Sequence, residues 1–270
     1  MNDLSVPAFA SLIPDNKNDT WVRGLYQFRW LGTGEDILQG EENFEVICKD
    51  GRTLRISLWD YKMLYRHPFL YESIFHDKLH LYSPEIITTY FFRILDTQKS
   101  KDPLRILDLG AGSGLVGVEL RKDARVQTVV GVDILPKAKE ASLRDHPNTY
   151  DGYYVMDLSQ LSQEEKDLLW RYRINCLMVV SATGGGGDED VGYKDVDLIE
   201  YEEAFFLLEI GGFIIFNVRE HYTKGQIAIL EKLKQVCDIL GSKVYRHRYL
   251  ANGTAVNNEV FVMRKVHEWI

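Results

Sequence analysis

The chain has 270 residues, 45% of them apolar and 12% aromatic, and a net charge of −8 at pH 7. This is enough apolar mass for one large domain, or for a domain with an extension, and it excludes global disorder. The acidic balance argues against a phosphate backbone as partner, and no Lys/Arg run exceeds two residues.

Residues 1–82 read as an extension. Met1–Thr20 is polar and irregular, with Pro7 and Pro14, and is expected to be mobile. Phe44–Ser57 alternates on either side of Asp50-Gly51, which predicts a hairpin with a two-residue turn. A dense aromatic series follows: Trp59, Tyr61, Tyr65, Phe69, Tyr71 and Phe75. It can be core that glues the extension on, or a lid that covers a flat or apolar substrate and keeps water away. Trp59, Tyr61 and Tyr65 are the lid and substrate-binding candidates. His67–Leu81 has helical spacing if it is continuous. His76 and His80 lie at i, i+4, a spacing that suits a metal pair, but no third ligand and no H-E-x-x-H glutamate accompany them, so no metal is expected. Ser83-Pro84-Glu85 marks a fresh start and predicts a helix over Pro84–Asp96.

Leu104–Glu119 (LRILDLGAGSGLVGVE) reads as strand, glycine turn and helix start. Such a corner brings backbone N–H groups up to a ligand, and glycine permits the close approach. Gly112-Ser-Gly114-Leu-Val-Gly117 also fits G-x-G-x-x-G, the dinucleotide fingerprint. Asp108, at the strand end, favours another ligand. It would repel a pyrophosphate and attract a cation. S-adenosylmethionine carries both an ammonium and a sulfonium. Asp133 ends the Val-rich strand Gln127–Ile134, 21 residues after Gly112, where a carboxylate can accept two ribose hydroxyls. Asp157 ends the run Gly152–Leu158, where it can accept from an adenine amino group while the Leu158 N–H serves a ring nitrogen.

Downstream, helices are expected over Pro136–His146, Gln163–Arg173, Asp195–Glu209 and Tyr222–Leu240. Strands are expected over Asn175–Ala182, Phe213–Val218, Lys243–Leu250 and Glu259–Val266. The pattern predicts an α/β fold, a doubly wound, mostly parallel seven-stranded sheet that closes on an antiparallel pair. The Gly184–Gly187 loop can wrap a substrate or serve as a plain turn.

With Asp108-Leu-Gly110-Ala-Gly112-Ser-Gly114, Val132-Asp133 and Met156-Asp157-Leu158 in this order, the chain resembles the class I S-adenosylmethionine-dependent methyltransferases over about residues 84–266. The resemblance implies a Rossmann-like methyltransferase domain over residues 83–270 and S-adenosyl-L-methionine as cofactor. Gly110 and Gly112 would line its methionine end, Asp133 would hold the ribose and Asp157 the adenine. The full implied set is Asp108, Gly110, Ala111, Gly112, Gly114, Asp133, Ile134, Asp157, Leu158 and Ser181. Family members that methylate adenine, glutamine or guanine nitrogens often carry Pro-Pro-Tyr after an acidic or Asn residue at the fourth strand. This chain has Ser181-Ala-Thr-Gly184 there, which speaks against those substrates.

The expected partner is therefore a small molecule with an oxygen or nitrogen acceptor, without nucleic acid or membrane. A catalytically silent adenosylmethionine-binding protein and an NAD(P)-dependent oxidoreductase stay open as alternatives. If a base is needed, His221 and Glu220 after the fifth strand are the candidates, with Ser181 and Thr183 after the fourth; Thr183 is also a substrate-binding candidate. His221 can equally be a helix-start residue facing water. Cys48, Cys176 and Cys237 form no C-x-x-C, no apolar run nears the roughly 20 residues of a membrane span, and Met1–Ala10 lacks a signal-peptide pattern, so a cytoplasmic setting is expected.

Overall fold

The structure, a computed structural model, describes residues 21–31, 42–183, 187–188 and 193–269. Met1–Thr20 and most of the Gly184–Gly187 run lie outside them. β1 (Tyr26–Leu31), β2 (Asn43–Cys48) and β3 (Thr53–Ser57) form an antiparallel sheet whose inward residues, among them Phe28, Phe44 and Val46, are buried. The hairpin turn is longer than expected. Cys48 N–H donates to Arg52 O at 2.8 Å and Gly51 N–H to Cys48 O at 2.9 Å, with Gly51 at φ +85°. That is a three-residue loop with its glycine in the left-handed position.

The helical spacing over 67–81 is interrupted. α1 (Tyr61–Arg66) is capped by Asp60 and ends before Pro68. Phe69 takes a left-handed conformation, and α2 (Leu70–Glu72) runs into a π-helical turn, Ser73–Lys78. Pro68 cannot continue α1, so the chain restarts at a new angle. α3 (Ser83–Thr97) then begins with Pro84 in its first turn, as its sequence predicts.

The main sheet combines β4 (Leu104–Leu109), β5 (Val126–Asp133), β6 (Gly152–Val155), β7 (Cys176–Val179), β10 (Phe213–Arg219), β11 (Cys237–Tyr249) and β12 (Ala255–Lys265); the short β8 (Gly187–Asp188) and β9 (Tyr193–Lys194) pair with each other. Its order is β11-β12-β10-β7-β4-β5-β6. β10, β7, β4, β5 and β6 are mutually parallel, and β12 lies antiparallel between β10 and β11. The doubly wound, mostly parallel seven-stranded expectation is met. A dinucleotide fold has no such inserted strand, since its six strands run in the order 3-2-1-4-5-6.

Alternation along each strand feeds two cores. Ile214, Phe216 and Val218 of β10 pack toward α6 (Gln163–Trp170), α7 (Leu198–Leu207) and α8 (Lys224–Val236). Phe213 and Ile215 face α3 and α4 (Leu115–Leu120). α5 (Pro136–Asp145) contributes Ala138 and Ala141 to a smaller cluster that includes Tyr65 of α1.

The expected helix to Leu240 stops at Val236, because Cys237, Asp238 and Ile239 pair with Lys265, Arg264 and Met263 of β12. Gly241 is no helix stop: a Cβ there would lie 2.7 Å from the Tyr90 hydroxyl oxygen, so the residue admits α3 against the sheet.

Residues 42–82 attach to the main sheet and to α5 through polar ties. Arg248 and Glu42, both fully buried, form a two-pronged ion pair at 2.6 and 3.0 Å. Arg144 donates to the carbonyls of Tyr65, Arg66 and His67, and Asp145 accepts the Phe69 N–H.

Candidate functional site

A cavity opens at the carboxyl ends of β4, β5 and β7, where the sheet order reverses and open α/β sheets bind ligands. Its space is about 960 Å³, mouth included. The floor is the turn Leu109–Ser113 with Asp133, Ile134 and Leu135; Met156, Val180–Ala182 and Lys194–Val196 form walls, and Tyr61, Tyr65 and Tyr71 face it from the N-terminal segment.

The glycine turn is built for close approach. Gly110 and Ala111 donate to Val132 O at 2.9 and 3.0 Å, which locks the turn to the tip of β5. Gly110 (φ +75°) and Gly112 (φ +55°) are left-handed, a region that costs a side chain. A Cβ on Gly110 would stand 2.6 Å from Ala182 Cβ, and one on Gly112 would stand 2.7 Å from the Tyr65 hydroxyl oxygen. Gly114 instead faces Ser142 and Tyr150, away from the cavity.

The three strand-end acids differ. Asp133 lines the floor. Its Oδ2 accepts the Gly112 N–H at 2.9 Å and its Oδ1 the Leu135 N–H at 2.8 Å. Burial raises its pKa to about 6, against these backbone bonds. Each carboxylate oxygen keeps a second acceptor position for a ligand hydroxyl.

Asp108 corrects the electrostatic expectation. It lies beneath the turn, 1% exposed, and does not line the cavity. Burial lifts its pKa to about 7 despite the Tyr150 hydroxyl that donates to Oδ2 at 2.7 Å; Oδ1 is buried without a partner. It is not part of the cavity surface, and the acid on the cavity floor is Asp133.

Asp157 and Leu158 are also displaced from their expected place. β6 ends at Val155, and the chain folds into a 3₁₀ turn, Leu158–Gln160, whose cap is the Asp157 carboxylate. Ser159 N–H and hydroxyl and Gln160 Nε2 occupy that carboxylate, and Leu158 is buried core. Only Met156 of this segment reaches the cavity.

Ser181 stands in a left-handed conformation (φ +58°), with its N–H donating to Asn217 Oδ1 at 2.7 Å. It lines this cavity and a second one of about 600 Å³, which also takes in Trp59 and Thr183. Tyr61, Tyr71, Leu81 and Asp195 line both. Thr183 itself is buried, its hydroxyl 2.6 Å from that of Tyr201. In the aromatic series, Tyr61 stacks on Tyr65 at 5.9 Å, and Tyr61, Tyr65 and Tyr71 pack against core clusters while they line the first cavity.

Of the base candidates, Ser181 and Thr183 line the cavities, while the two after the fifth strand are placed elsewhere. His221 and Glu220 are exposed and line neither cavity; Glu220 accepts from Asn257 Nδ2. β10 ends at Arg219, and the chain leaves the site before residue 220. His76 has both ring nitrogens engaged, by Asp77 at 3.0 Å and Glu85 at 2.9 Å, and so offers no lone pair to a metal. Sequence reasoning missed Asn217, Arg219, His247 and Asn258 of the second cavity. Two polar residues at the end of the apolar run FIIFNVR were the available signal.

No protein-family model and no curated protein matches this sequence. Among solved structures, the chain is similar to the N-methyltransferase NodS from Bradyrhizobium japonicum WM9 in complex with S-adenosyl-L-homocysteine (13% identity, 66% of this chain and 85% of that one, TM-score 0.47). It is similar to magnesium protoporphyrin IX methyltransferase ChlM from Synechocystis PCC 6803 with bound S-adenosylmethionine (12%, 66% and 77%, 0.45). It is also similar to the [4+2]-cyclase SpnF (11%, 67% and 82%, 0.46). The strand order, rather than these likenesses, fixes the architecture: a doubly wound, mostly parallel seven-stranded α/β sheet with one antiparallel strand inserted beside its edge.

Proposed function

We propose that this chain is an S-adenosylmethionine-dependent methyltransferase that transfers a methyl group to an oxygen or nitrogen of a small molecule by in-line displacement. The observation that carries the reading is Asp133: a carboxylate at the tip of β5, tied to the Gly112 N–H and facing a cavity over a turn that has no room for a side chain at Gly110 or Gly112. These residues fit a sulfonium nucleoside. Asp133 would accept the ribose hydroxyls, Ile134, Leu135 and Met156 would flank the adenine, and Gly110–Gly112 would pass the methionine end. When bound, the nucleoside supplies a methyl on a positively charged sulfur.

The remaining work is alignment and dryness. Tyr65, with its hydroxyl over Gly112, and Tyr61, stacked on it, cover the floor. The second cavity, which shares Ser181, Tyr61 and Tyr71 with the first, is where the acceptor would sit. Of the base candidates only Ser181 and Thr183 line a cavity, and an acceptor with a free lone pair needs no base.

The test is turnover. Purified protein with adenosylmethionine and a panel of small phenols, amines and carboxylates should release S-adenosylhomocysteine with at least one acceptor class. Binding of the nucleoside without release across the panel would favour the silent reading, and quenching of NADH fluorescence on titration would favour an oxidoreductase.

A further inference from the structure

The second cavity has a composition that the first lacks. One wall is aromatic and apolar: Trp59, Tyr61, Tyr71, Phe75 and Leu81. The opposite wall is a row of polar residues across three strands. Asn217 and Arg219 share one face of β10, Arg219 pairs with Asn258 of β12, and Asn258 pairs with Tyr245 of β11. His247 is the extra residue of a bulge between Arg246 and Arg248, which turns its ring to the same wall. Its Nδ1 lies 2.7 Å from Ser83 Oγ, which is also 2.9 Å from the Tyr245 hydroxyl.

Two atoms on this wall are left over. Asn217 is 2% exposed, and its Oδ1 takes the Ser181 N–H, so the free end must be the Nδ2 donor; that atom is buried without a partner. Asn258 is 5% exposed, and its Oδ1 is likewise unpartnered. A buried amide donor without a partner is costly and calls for an explanation. The charge on this wall comes from Arg219. Arg248 is neutralised by Glu42, and Asp195, on the shared wall, already has a partner. Arg219 forms no ion pair among the described residues.

We infer that the second cavity binds an oxyanion-bearing acceptor with a flat apolar body, its carboxylate or phosphoryl oxygens held by the Arg219 guanidinium and the Asn217 amide. The inference rests on the methyl-transfer reading for the word acceptor, while the anion site is testable without it. A guanidinium and an amide N–H are donors only, so together they recognise acceptor oxygens and reject a neutral or cationic group at that place. The aromatic wall takes the body of the molecule, and Ser181 marks the passage to the first cavity.

The test is a set of calorimetric titrations with benzoate, phenyl phosphate and benzamide, with saturating S-adenosylhomocysteine, on the wild type and Arg219→Gln. Benzoate is expected to bind at least about tenfold more tightly than benzamide, a lead of the size that charge-assisted bonds give. That lead should collapse in Arg219→Gln. Arg219→Lys, which keeps the charge but not the fork, should retain part of it and serves if the glutamine variant does not fold. Phenyl phosphate above benzoate would assign the oxyanion to a phosphoryl group. Equal affinities, no binding of either anion, or a lead that survives in Arg219→Gln would overturn the inference. Failure of the methyl-transfer reading would show separately, as no binding of S-adenosylhomocysteine to the wild type, and the anion titrations then stand without it.

Discussion

The hydroxyl of Tyr65 lies 2.7 Å from the place a Cβ on Gly112 would take. The glycine turn and the N-terminal aromatic segment are therefore fitted to each other. Gly112→Ala should suffer twice, from a left-handed backbone (φ +55°) and from the collision. The backbone part costs about 1–2 kcal/mol. Tyr65→Phe in the Gly112→Ala background should recover the collision part and leave the backbone part, as read from denaturant midpoints of the four proteins of the cycle.

The Glu42–Arg248 pair joins residues 206 positions apart and is fully buried. Glu42 also accepts the Ala251 N–H at 2.9 Å. Glu42→Ala strands a buried guanidinium and should cost about 3–5 kcal/mol. The double variant Glu42→Leu/Arg248→Met should regain most of that in urea unfolding. A single variant as stable as the wild type would remove this tie from the account.

His76 makes stability depend on alkaline pH. Burial works against its charge, but the Asp77 and Glu85 hydrogen bonds outweigh it and raise the pKa to about 9. A folded pKa above the unfolded value of about 6.5 gives stability that is fully present below that value. It is lost as pH rises through about 9, by on the order of 3 kcal/mol at most. His76→Gln should flatten the stability profile between these limits.

Asp108 should act in the acid-to-neutral range. Its folded carboxyl keeps a proton up to about pH 7, while the unfolded chain releases it near the ordinary value of 3.8. The folded state therefore binds more protons between those two values, and stability falls as pH rises there, by about 1.4 kcal/mol per unit at the limit. Asp108→Asn can still accept the Tyr150 hydroxyl and should gain on the wild type from pH 4 to pH 7, as measured by urea midpoints. A difference that does not move with pH would mean that Asp108 is ionised in the folded protein.

The sheet was legible because its strands alternate or run apolar and its helices carry start residues such as Pro84 and Pro136. Legibility failed where a partner strand overrode local pattern, as at Cys237–Ile239, whose residues pair with β12 although they continue a helical spacing. Of the residues singled out in the sequence, Gly110, Gly112 and Asp133 do line the first cavity, because a glycine turn and the tip of the next parallel strand lie side by side in such a sheet. Asp157 does not, since β6 ends at Val155, three residues before the expected end, and the carboxylate caps the following turn. The polar wall of the second cavity is assembled from β10, β11 and β12, residues brought together by sheet order alone.

Calorimetric titration of S-adenosylhomocysteine into the wild type and Asp133→Ala, side by side, tests the central assignment most directly. The account predicts one site per chain in the wild type and at least about tenfold weaker binding in the variant, with Tyr65 and Gly112 untouched. Equal affinity in the two proteins, or no heat from the wild type at all, would contradict it.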